Sequence, residues 1–83
     1  GFEKRVLLYA ARAYSQQLKR GMQYDKVQSV FLLSIVNHQI RPDNEKWIHR
    51  MSMRENTDPY HEISGINLVF IELEKRKKET FNF

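Results

Sequence analysis

Apolar residues along this chain fall into one helix-like stretch followed by three strand-like runs. In residues 2 to 20, Val6, Leu7, Ala10, Ala13, Tyr14, Gln17 and Leu18 share one face at a spacing of three and four. Lys4, Arg5, Arg12, Ser15, Gln16 and Lys19 take the other side, and Gly21 after two basic residues is a helix stop. Residues 27–37, VQSVFLLSIVN, are apolar on both faces and rich in branched side chains, the pattern of a strand buried on both sides. Pro42, Asp43 and Asn44 break that run. Residues 47–54 alternate: Trp47, His49, Met51 and Met53 point inward, and Ile48, Arg50, Ser52 and Arg54 outward. Residues 55–65, ENTDPYHEISG, read as turn formers, and residues 66–73, INLVFIEL, as a third strand with two apolar faces. A charged tail over 74–83 ends in Phe81 and Phe83.

The pattern predicts an α+β domain in the order α-β-β-β: one amphipathic helix packed on a three-stranded, mainly antiparallel sheet, since short connections favour pairing of neighbours. One helix covers one face only. The other apolar face requires a second copy of the chain or further sequence of the same protein, so self-association is expected.

Composition narrows the setting. Eighty-three residues make a single domain at most, and 41% hydrophobic with 29% charged residues is ordinary for a folded chain. The chain has no cysteine, which points to a reducing, cytoplasmic location, and no apolar run of membrane-spanning length. Its net charge of +4 is compatible with a polyanion. Arg5, Arg12 and Lys19, seven apart on the helix, form a basic stripe. With Arg50 and Arg54 on the second strand and Lys75 and Lys77 in the tail, they are the candidate phosphate contacts for weak, salt-sensitive binding to DNA.

Candidates for chemistry are few. Pro42-Asp43 has the form of half of a nuclease metal motif, but no glutamate in the chain is followed two positions later by lysine or glutamine. A metal-dependent phosphodiesterase of that kind needs both carboxylates to hold a divalent cation, so Pro42-Asp43 reads as a turn. His38, His49 and His61 lack zinc-ligand spacing, and the three glycines form no phosphate loop. No metal site or cofactor site is expected within the chain. Gln17, a polar residue in the apolar helix face, must find hydrogen-bond partners; it is either tied to nearby backbone or aimed at an adjacent active site.

Phe2-x-x-Arg5 with Tyr9, then Tyr14-Ser15-x-Gln17-Leu18, then Gly21-x-x-Tyr24, resembles the PD-(D/E)XK family transposases, also called recombination-promoting nucleases. The apolar stretch 30–36 is similar to the family's next strand, His49 stands where a Tyr-His pair is common, and Glu72-Leu73-x-Lys75 resembles a Glu-Leu-Pro-Lys motif. The chain departs from the pattern at Ala10, Ser29, Asn37 and Glu74. The resemblance implies a bacterial DNA endonuclease that uses magnesium, of which residues 1–83 would be the second half of the core, lacking the aspartate and the Glu-x-Lys/Gln pair and inactive alone. It also implies that Gln17, and with it Arg5 and Tyr14, support an active site completed by other sequence. The alternative is a non-catalytic interaction or dimerisation module.

Overall fold

A computed structural model describes residues 1–80 of the chain. Helix α1, Phe2–Lys19, ends where the sequence places its stop. Gly21 takes φ 85°, the Met22 amide donates to the Gln17 carbonyl and the Gly21 amide to that of Leu18. This paired closure needs a residue that enters the left-handed region without steric cost, which glycine does. A single 3-10 turn, Tyr24–Lys26, leads to strand β1, Val30–Val36. Strand β2 covers Ile48–Glu55 and β3 covers Asp58–Glu72. Helix α2, Leu73–Thr80, follows directly.

The sheet is mixed, with spatial order β1-β3-β2. β2 and β3 form the antiparallel pair that the sequence predicts for neighbours. β1 instead pairs parallel to β3, with Val30 opposite Ile66 and Val36 opposite Glu72. Of the two strands apolar on both faces, β3 takes the centre, where both of its edges are paired, and β1 takes an edge. The 37–47 connection carries the chain past the end of β3 to its far side.

Alternation divides the sheet. Val30, Leu32, Ile66, Leu68 and Phe70 meet Phe2, Val6 and Ala10 of α1 and form the core together with Ile40. On the opposite face, Phe31, Leu33 and Ile35 are exposed, Phe31 by 75%, and Ile48, Val69 and Ile71 continue the apolar surface. Among the described residues β1 is therefore covered on one side only, and the bare face expected from a single helix is present.

Two expectations are corrected. Residues 55–65 are not a long turn: the hairpin turns at Asn56 and Thr57, and β3 begins at Asp58. Pro59 is tolerated because β1 pairs only with residues 66–72, so Pro59 needs no amide hydrogen on that side. Residues 53–63 then form a two-stranded ribbon beyond the main sheet, with bulges between Met51 and Met53 and between Arg54 and Glu55. Cross-strand ion pairing of Arg54 with its register partner Glu62 ties the ribbon together. The charged tail, in turn, is helical from Leu73; Phe81 and Phe83 lie outside the described residues.

Candidate functional site

Among the described residues, ionisable groups are gathered in the interior at the carboxyl end of β3. The parity that turns Leu68 and Phe70 toward α1 also turns Glu72 inward, and its side chain is fully buried. Burial without partners would be costly. Oε1 accepts the amide hydrogens of Ile40 and Arg41, the latter at 2.8 Å. Oε2 forms an ion pair with the Lys75 ammonium, one helical turn further on. Lys75 is only 7% exposed, and its Nζ also donates to the carbonyls of Arg41 and Lys46. The Glu72 amide donates to the Trp47 carbonyl at 2.7 Å, and the Arg76 guanidinium lies 5.3 Å from the centre of the Trp47 ring.

The result is a clasp. A carboxylate takes two amides from the 37–47 connection, and an ammonium covers two of its carbonyls. Burial alone would raise the Glu72 carboxyl, but the Lys75 ammonium, the amides of Arg41 and Ile40, and His49 outweigh it and lower it to about 2. Glu72 is therefore a fixed anion at neutral pH. His49 Nε2 is 3.5 Å from Glu72 Oε2, too long for a hydrogen bond, and has no other hydrogen-bond partner among the described residues.

The clasp does not make a metal site. Both carboxylate oxygens already face positive or donating groups, and among the described residues no group of three histidine, aspartate or glutamate side chains comes together. Asp43 is not available either. Its two oxygens take a bidentate contact from Arg41 at 3.0 and 2.7 Å, which lowers its carboxyl to about 2, and the pair sits in solvent as a turn. His61 lies beside Glu55 on the ribbon, and the His38 ring packs edge-on against Phe2, so the three histidines stay apart.

Gln17 satisfies its amide on the following backbone. Its Nε2 donates to the Gln28 carbonyl and its Oε1 accepts the Gln28 amide, each at 2.9 Å, like one rung of a β ladder. This rung fixes how the chain turns from α1 into β1. Tyr14 packs over Gly65: a Cβ at Gly65 would lie 3.4 Å from the Tyr14 ring, in ordinary van der Waals contact. Arg5 is exposed. Gln17 and Tyr14 thus lie near each other on the sheet side of α1, and Arg5 does not join them.

Of the basic residues, Arg5, Arg12 and Lys19 lie exposed on α1, and Arg50 and Lys77 are exposed as well. Lys75 does not belong with them. Its ammonium is buried against Glu72 and two carbonyls, so it is withdrawn from any phosphate. Arg54 is already engaged by Ser52, the Pro59 carbonyl and Glu62. A charge run ordinarily reads as solvated surface, which hid Lys75; the signal that could have found the clasp is Glu72 in phase with Leu68 and Phe70, with a lysine three residues on.

The α+β fold, one amphipathic helix on a three-stranded mixed sheet, is consistent with part of a PD-(D/E)XK nuclease core. The family model of the PD-(D/E)XK nuclease family transposases matches residues 1–82, and the chain belongs to that family. No curated protein and no solved structure matches it significantly. No helix among the described residues is long and apolar enough to cross a membrane.

Proposed function

We propose that these residues form the second half of a transposase-type PD-(D/E)XK DNA endonuclease core and are inactive by themselves. The observation that carries this reading is the match of the family across residues 1–82 of a chain with no Glu-x-Lys/Gln pair. The bare face of β1 and β3, and the unpaired edge of β1, support it: they are the surfaces on which further strands and helices would complete a sheet. The magnesium-binding carboxylates would then come from other sequence, with Gln17 and Tyr14 behind them as positioning residues. Contacts to DNA would be made to phosphates through Arg5, Arg12, Lys19, Arg50 and Lys77, and would be weak and salt-sensitive.

The second reading is a non-catalytic interaction module. The exposed apolar residues Phe31, Leu33 and Ile35 favour it equally, because a partner protein would cover them as well as a nuclease half would. Cleavage separates the two. Purified residues 1–83 should leave supercoiled plasmid intact in magnesium, whereas a longer protein carrying an upstream Asp and Glu-x-Lys/Gln pair should nick it and stop on chelation. Chelator-sensitive nicking by residues 1–83 alone would overturn the inactivity, and an upstream region without the pair would overturn the nuclease reading.

A further inference from the structure

We infer that the ribbon formed by β2 and β3 is a dimerisation arm: its tip seats in a cleft at the base of the ribbon of a second copy, and the contact is reciprocal. The surface involved is separate from the bare sheet face.

Three features of the ribbon point to a partner. It projects from a molecule 50 Å long, and two strands with no third are marginally stable without outside contacts. Its exposed side chains include Met53, Ile63 and Tyr60, and Tyr60 is 95% exposed. The tip is also braced. The Asp58 carboxylate accepts the Tyr60 amide at 3.2 Å, and the Arg54 guanidinium donates to the Pro59 carbonyl at 2.6 Å. An aromatic side chain held out on an ordered turn is a preorganised anchor.

A matching socket lies at the ribbon's base. Between α1 and the sheet, Leu7, Met51, Met53, Ile66 and Leu68 with Ser52 line an open apolar cleft of about 220 Å³. A site of roughly 150 Å³ accepts benzene, so this one has room for the Tyr60 ring. Tyr60 and Leu68 are eight residues apart on one strand, about 25 Å. The ring stays out of its own cleft, since Tyr60 is 95% exposed, and two ribbons crossed antiparallel about a two-fold axis would place each tip at the other's base.

Charge selects the occupant. Over residues 53–63 the ribbon carries three acids, Glu55, Asp58 and Glu62, against one arginine, Arg54, so it is net acidic. A polyanion is therefore repelled by the tip. Helix α1 carries Lys4, Arg5, Arg12 and Lys19 against a single acid, Glu3. Lys4 sits one turn before Leu7, the α1 residue that lines the cleft. A second copy of this chain offers both an apolar socket and the opposite charge to the tip.

Sedimentation equilibrium of the full chain tests this. The expected result is a dimer whose dissociation constant rises at least tenfold with Tyr60→Ala and rises with salt. Asp58→Lys and Lys4→Glu should each weaken self-association, and an equimolar mixture of the two should associate more tightly than either alone, because both reciprocal contacts of the mixed dimer bring opposite charges together, one of them the native Asp58–Lys4 contact. Tyr60 is at an exposed tip, so unchanged circular dichroism is expected and separates loss of contact from loss of fold. A monomer at high micromolar concentration would overturn the proposal. So would a dimer indifferent to Tyr60→Ala but broken by Leu33→Lys on the bare sheet face.

Discussion

Replacing Glu72 with glutamine should remove a large part of the stability of this chain. Glutamine keeps the size of the side chain and an oxygen for the Ile40 and Arg41 amides. It loses the charge, and Lys75, 7% exposed, is left as an uncompensated ammonium in the interior. Breaking a buried ion pair from one side costs about 3–5 kcal/mol. The carboxyl itself gives a second route to the magnitude. Its fall from 4.5 to about 2 corresponds to on the order of 3 kcal/mol of stability at neutral pH. A chain of this length has roughly 4–12 kcal/mol in total, so either figure is a substantial share. Trp47 is the only tryptophan, and its carbonyl receives the Glu72 amide, so urea unfolding followed by its fluorescence reports on the clasp itself. The partner variant Lys75→Met completes a double-mutant cycle. The Glu72→Gln, Lys75→Met double variant should lose less than the two single variants combined, since removing both charges leaves none unpaired. Glu72→Gln within about 0.5 kcal/mol of the parent, inside the scatter of surface substitutions, would refute the reasoning. Strict additivity of the two variants would refute the coupling.

Acid should unfold the chain by the same group. A depressed carboxyl contributes stability that is complete above its unfolded value of 4.5 and is lost as pH falls toward about 2, so the urea midpoint should be flat above pH 5.5 and drop steeply below 4.5; a midpoint unchanged down to pH 3 would contradict this. Gln17→Leu should cost about 1 kcal/mol, the low end for a broken hydrogen-bond pair, because Gln28 is exposed and water can replace the lost amide; in a longer, active protein, unchanged cleavage by this variant would remove Gln17 from any catalytic support. Triple replacement of Arg5, Arg12 and Lys19 by alanine should weaken DNA retention and flatten its salt dependence in a gel-shift series without lowering the urea midpoint, whereas Lys75→Ala should lower the midpoint.

The helix was legible because its signals agree. Apolar spacing, the basic run and Gly21 all say the same thing, and the chain closes α1 at that glycine. The sheet was legible in its strands but less so in its pairing. Nothing local to residues 30–36 says whether they will meet β2 or β3; the topology follows from which strand most needs the centre, and that is a property of the whole sheet. The ribbon was misread for a related reason. Pro59 and Gly65 are strand breakers in the middle of a sheet, but at Pro59 there is no third strand to be offended, and at Gly65 the missing side chain is filled by Tyr14. Gln17 was legible as an anomaly. Its partners were not, since Gln28 is eleven residues away across a turn whose path the sequence alone does not fix.

The clasp and the bare sheet face together explain how so small a chain can hold its shape. The buried core side chains are few, and Leu68 and Phe70 are covered by one helix with Ile40 beside it. A core of that size stabilises weakly. The 37–47 connection has no regular structure to hold it, so its amides and carbonyls depend on Glu72 and Lys75 at the end of the central strand. Charge is thus drawn inside to fix a loop, while Phe31, Leu33 and Ile35 are left outside. That inversion is unfavourable for an isolated domain. It becomes favourable when the apolar face is covered, because burying those side chains then adds a second core on the other side of the same sheet, at roughly 1.5–3 kcal/mol for each large side chain. The stability of these residues should therefore rise sharply in the presence of whatever completes the sheet. Thermal unfolding of residues 1–83 compared with the same residues in a longer protein measures that rise, and equal midpoints would mean that the exposed face is solvent-facing in the whole molecule too.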